Sequence, residues 1–155
     1  MKEVFPDLLA AEGSYHGQGT NHEGEKFHAE FALRPLLDGA GHEIEFRAVG
    51  MQGQLYHAEK TWLSRGPIQD LGLWTVNSNT PCVSAFALRR ESPLVPRGFH
   101  RIFGLGDPAD RSIFRQEIHL ETLYENDVWR IRYHFHWGLP GGEFAYRSGV
   151  TLLAL

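Results

Sequence analysis

The sequence of 155 residues contains a single cysteine, Cys82, so no disulfide can form within the chain, and a reducing compartment is the expected setting. It has little basic excess: 15 basic residues stand against 19 acidic ones, a net charge of -4. A general nucleic-acid binder needs a basic stripe to displace counterions, so that class is excluded. No apolar run reaches the ~18 residues of a membrane helix, and membrane partners are not expected. Met1-Lys2-Glu3-Val4-Phe5-Pro6 carries no apolar signal core, which makes export unexpected and the cytoplasm the expected location. What is present is globular composition, 42% hydrophobic and 12% aromatic, in a length that suits one domain over 1–155.

Glycine and proline divide the chain into ten short runs rich in aromatic and β-branched residues. The runs begin near residues 14, 26, 42, 54, 70, 82, 98, 112, 127 and 143. That spacing points to an antiparallel sandwich or barrel. The one plausible helix is short, Pro6 to Glu12, with Leu8, Leu9 and Ala11 as its apolar face. A flat ten-stranded sheet would expose an apolar face and two edges. The expected fold is therefore all-β: a ten-stranded antiparallel up-and-down barrel, with run 144–153 closing onto run 14–20 and the helix over one mouth.

Turns set the expected registers. A loop Asp38–Gly41 places Leu33 opposite Phe46 and Arg34 opposite Glu45. A hairpin at Gln52-Gly53 places Glu45 opposite Lys60, Phe46 opposite Glu59 and Ala48 opposite His57. A turn at Glu125-Asn126 pairs Ile118 with Tyr133 and Glu117 with His134. The last hairpin pairs Phe135 with Tyr146 and Tyr133 with Ser148. A slip by two residues in any of these would leave every side chain on its face.

These registers put polar groups inside: Leu55, His57, Glu59, Thr61 and Leu63 on one wall, and Tyr133, Tyr146, Ser148, Gln116 and Thr122 on the other. Buried polar groups lacking partners cost about 1–3 kcal/mol each, so they must pair or meet water or a ligand. One reading is a ligand cavity with apolar contact from Trp129, Ile131, Phe135, Phe46 and Phe31 and orientation by His57, Glu59, Tyr133 and Tyr146. The other is a packed polar cluster in which His57 simply bonds Glu59 or a tyrosine. His57-Ala58-Glu59 also has the residue types for acid–base chemistry, although no nucleophile accompanies it. Asn77, in the turn segment Asn77–Pro81, stands where it can reach into the mouth. Glu91–Arg97, with two prolines, reads as the longest connection and a mouth flap. His134-Phe135-His136 has strand spacing for two metal ligands on one face, but the register puts that face outside among charges; no metal is expected. Tyr56 and Trp62, beside Ala58, form an outer aromatic patch that leaves open an interaction module or a homodimer.

Two segments resemble a known family. Gly13-Ser14-Tyr15-His16-Gly17-Gln18-Gly19 resembles the G-x-W-x-G-x-G opening of nitrobindin-like barrels, with Tyr15 in place of the tryptophan. Gly53-Gln54-Leu55-Tyr56-His57-Ala58-Glu59 resembles that family's G-x-x-L-H-A-E stretch with one residue inserted. The resemblance implies a ten-stranded barrel of the calycin group, related to fatty-acid-binding proteins and lipocalins, with a small molecule inside. It also implies haem as the group to consider, held by a histidine near the C-terminus, and peroxynitrite isomerisation in some members. Here Phe144-Ala145-Tyr146-Arg147-Ser148-Gly149 follows His136 without a histidine, and Tyr146 would be the remaining iron ligand. The expected function is binding of a small, partly hydrophobic molecule without a cofactor. The alternative is an enzyme, either of the haem type or cofactor-free at His57 and Glu59.

Overall fold

The computed structural model describes residues 6–66, 71–91 and 98–155. Ten strands follow one another: β1 (Gly13–Thr20), β2 (Lys26–Leu36), β3 (Gly41–Gly50), β4 (Leu55–Ser64), β5 (Gly72–Asn77), β6 (Thr80–Glu91), β7 (Gly98–Leu105), β8 (Arg115–Glu125), β9 (Val128–Gly138) and β10 (Ala145–Ala154). Each pairs antiparallel with the next, and β1 pairs with β10 from Tyr15↔Ala154 to Thr20↔Gly149. The sheet is therefore a closed barrel without a free edge. No helix among the described residues is long and apolar enough to cross a membrane. The Glu91–Arg97 connection falls almost wholly on residues 92–97, outside the described residues.

Closure explains the glycines of β1. Gly19 pairs with Phe27 on β2 and Val150 on β10. A Cβ at Gly19 would collide with the Phe27 ring and the Gly149 carbonyl. The Phe27 ring lies where the missing side chain would stand.

Three expected registers are shifted by two residues: β9–β10, where Phe135 meets Ser148 and Tyr133 meets Val150, and two others. β2 and β3 pair Phe31 with Phe46 and Leu33 with Ile44, because the loop is Leu37–Ala40 and not Asp38–Gly41. Leu37 and Asp38 both take positive φ there, and Leu37 stands exposed. β8 and β9 pair Leu120 with Tyr133 and Ile118 with Phe135. Their turn is Asn126-Asp127, both at positive φ, as a two-residue hairpin of this hand requires. The faces survive these shifts because two residues restore the same side. Arg34 still reaches Glu45 at 3.5 Å, now on a diagonal.

The β3–β4 register is as expected, with Phe46 opposite Glu59 and Ala48 opposite His57, but by another route. The loop spans residues 51–54, and an extra residue at Tyr56 bulges β4 to recover the pairing. The bulge takes Leu55 out of the interior; it is exposed. A second bulge, between Tyr146 and Ser148, overturns another expectation. Ser148 pairs with Phe135 and faces inward, whereas Tyr146 pairs with His136 and lies on the outer wall, 53% exposed.

The end where β1 begins is filled. Leu33, Ile44, Leu63, Leu73, Leu120, Ile131 and Leu152 are each at most 1% exposed. Pro6–Leu9 makes only a single helical turn, so the helix expected over 6–12 is not formed as such. Leu8, Ala11 and Tyr15 are nonetheless buried there, and His42 meets the Glu12 carboxylate at 3.1 Å.

On the outer wall, His119 and His136 stack with ring centroids 4.1 Å apart, and Glu117 accepts hydrogen bonds from Arg89 and Arg90 beside them. The described residues contain no group of three or more ligands able to hold a metal ion. The rings have instead taken on a burial cost. His119 is pushed down to about 4, first by burial and then by His136, with Glu117 opposing. Burial also lowers His134 and His136. A histidine lowered on folding is protonated more readily in the unfolded chain. Its contribution is complete above about pH 6.5 and is lost as pH falls toward the folded value. The midpoint of thermal unfolding should fall by several degrees between about pH 7 and about pH 4.5, and less steeply in His119→Gln. An identical slope in the variant, read by circular dichroism, would contradict this account of the wall.

Candidate functional site

The opposite end of the barrel is not filled. A cavity of about 440 Å³ opens there, among the loops joining β1–β2, β3–β4, β5–β6, β7–β8 and β9–β10. Small inward residues make room: Ala48 and Ser148 line it, where the closed end carries leucines and phenylalanines. The volume falls within the range of ordinary small-molecule sites.

The floor is aromatic. Tyr133 packs against Phe31, Phe46 and Phe135 with ring centroids 5.3, 5.2 and 4.9 Å away. His57 lies 6.0 Å from Phe46 and 5.7 Å from Phe135. Beneath it sits Glu59, whose side chain is 2% exposed. A carboxylate so placed requires donors. One oxygen accepts from the Tyr133 hydroxyl and lies 3.2 Å from Thr61 Oγ1; the other is 2.9 Å from His57 Nε2. Thr61 Oγ1 is also 2.9 Å from Thr75 Oγ1. Burial first, and then the Glu59 charge, push the Tyr133 phenol well above its usual value, so it stays a proton donor.

Asn79 fixes the state of His57. Its Nδ2 donates to the Tyr56 carbonyl at 3.3 Å and stands 2.9 Å from His57 Nδ1. A carbonyl only accepts, so that end of the amide is the NH₂ group. Nδ1 is then the acceptor, and the imidazole proton sits on Nε2, donated to Glu59. The chain Asn79–His57–Glu59–Tyr133 leaves neither imidazole nitrogen free. The cavity and the polar cluster, alternatives in the sequence, exist together, one on top of the other.

Six of the nine residues expected at the site line the cavity: His57, Tyr133, Phe135, Phe46, Ser148 and Asn77. Glu59 does not line it but holds two that do. Trp129 lies at the filled end, its ring 5.1 Å from Tyr124. Tyr146 is outside, near His134 and His136. Tyr56 and Trp62 do not form the expected outer patch: the Tyr56 ring borders the mouth, while Trp62 Nε1 donates to Glu43 at 3.2 Å.

Sequence reasoning missed Asn79 and the rim. Asn79 sits in the two-residue turn between β5 and β6, where its composition reads only as a turn. The rim loop is stiffened by Asn21, whose Oδ1 accepts from the Glu23 and Glu25 amides at 3.0 and 2.9 Å. Glu25 accepts from the Tyr56 hydroxyl at 2.6 Å, and this bond above all holds its carboxyl below the usual range. Arg115, 1% exposed, donates to the carbonyls of Ile113, Leu139 and Gly142, tying two mouth loops together.

Compared with known proteins, the chain matches no family model and no curated protein.

Tyr133→Phe removes one donor from a carboxylate that water cannot reach, which should cost about 1–3 kcal/mol of stability in urea denaturation. The same substitution in a Glu59→Gln background should cost less, because the charge is gone. Equal costs in both backgrounds would mean that the phenol does not support Glu59.

Proposed function

We propose that the chain binds a small, partly hydrophobic molecule in the open end of the barrel. The observation that supports this most is the cavity itself, apolar at its floor with polar groups left over on its walls. Gln116 and Ser148 both face it, and neither side chain has a hydrogen-bond partner among the described residues. Such groups are available to orient a ligand, while the rings supply contact. Burying about 250 Å² of apolar ligand surface contributes about 6 kcal/mol before the cost of association. Affinity for a purely apolar molecule is therefore modest, and the polar anchors decide which ligand is held.

The finer likeness to nitrobindin-like barrels belongs to the same proposal, resting on the β1 glycines and on His57-Ala58-Glu59. The likeness does not extend to haem. Inside the cavity, His57 has both nitrogens engaged and Tyr133 is turned onto Glu59. His22 sits on the rim with its ring edge-on to Trp137, and Tyr146 is outside. Deeper in the cavity than His22, no described side chain presents an unengaged iron donor. The same engagement argues for His57 as a positioned wall group and against it as a free base.

A neutral reporter such as N-phenylnaphthylamine should gain fluorescence with the protein and saturate at one site. Ala48→Phe, which fills the cavity from β3, should weaken that binding about tenfold or more while the far-UV circular dichroism spectrum is retained. A variant that folds and binds the reporter undiminished would refute this location.

A further inference from the structure

We infer that the cavity selects a molecule whose polar end is a protonated amine, with an aromatic or alkyl body. This rests on the cavity-binding reading above and adds the sign of the ligand's charge. A barrel that takes a carboxylate needs a cation to receive it, since an unpaired charge out of water is strongly disfavoured. Among the described residues that line this cavity there is no lysine or arginine. The neighbouring arginines are committed elsewhere. Arg115 donates to backbone carbonyls behind the wall. Arg147 stacks on Trp137 at 4.6 Å and donates to the carbonyls of Trp137 and Glu143.

The opposite sign is well represented. Glu23 and Glu25 line the mouth, and the Asn21 turn and the Tyr56 hydroxyl hold them in place. The Tyr56 bond that keeps the Glu25 carboxyl low also keeps it ionised. Phe27, Phe114 and Trp137 line the same cavity, although Arg147 already stacks on the Trp137 ring. Aromatic faces attract a cation and are indifferent to a neutral group, and carboxylates at the mouth raise the local concentration of cations. The body of such a ligand would descend past Ala48 to Phe46 and Phe135. Gln116 and Ser148 would serve any further polar atom. An anionic amphiphile would meet two like charges at the entrance and no counter-charge within.

Three ligands with one body separate the possibilities: naphthylethylamine, naphthylethanol and naphthylacetate, titrated calorimetrically into the intact chain. The amine should bind about tenfold more tightly than the carboxylate and severalfold more tightly than the alcohol, with its advantage shrinking as salt is raised. The double variant Glu23→Gln/Glu25→Gln should close the gap between amine and alcohol. Carboxylate binding as tight as the amine's, an alcohol equal to the amine, or a preference that survives in the double variant would each overturn the inference and leave the cavity reading standing. If none of the three binds at about millimolar concentration, the cavity reading itself fails.

Discussion

A carboxylate taken out of water must be met by donors, and Glu59 is met by the hydroxyl of Tyr133, the hydroxyl of Thr61 and the imidazole of His57. These partners come from two distant parts of the chain, Glu59 and Tyr133 being 74 positions apart. Only barrel closure brings β4 and β9 across the same interior. The bond set then divides that interior. Below it, aliphatic and aromatic side chains fill the space as a core does. Above it, Tyr133 and His57 are held as a floor, and small residues leave room. Glu59 is thus a positioning residue: it touches nothing in the cavity, yet it decides what the cavity floor presents.

This arrangement also accounts for what His57 offers a ligand. With Nε2 donating to Glu59 and Nδ1 accepting from Asn79, the ring presents its carbon edge and faces rather than a lone pair. The polar groups left for the proposed recognition are Gln116 and Ser148 on the walls and, on the rim, the charges of Glu23 and of Glu25, which also accepts from Tyr56. A site of this kind suits retention and discrimination by charge more than proton transfer.

The strand count, the closure and the inward face were legible in the sequence because period-two alternation survives errors of register. Three hairpins were misplaced by two residues along most of their length, which changes partners and not faces. Bulges broke that protection. The extra residue beside Tyr146 turned an expected wall residue outward, and the one at Tyr56 expelled Leu55 while carrying Tyr56 to the mouth. Composition marks neither bulge; the one inserted residue in Gly53–Glu59 was the only sign of that at Tyr56. The role of Asn79 was hidden for another reason: its bond to His57 crosses from one hairpin turn to a neighbouring strand, a contact that exists only in three dimensions. The cavity was legible as a polar, aromatic interior, but its emptiness depends on small side chains, Ala48 and Ser148, falling on inward positions at the open end.

The most direct measurement is the amide chemical-shift map of the labelled protein on addition of a neutral naphthalene ligand. The account predicts shifts confined to the open end, around Ala48, His57, Gln116, Phe135 and Ser148, with Leu33, Ile44, Thr122 and Ile131 unmoved. Shifts spread over the outer wall, or none at saturating ligand, would contradict it.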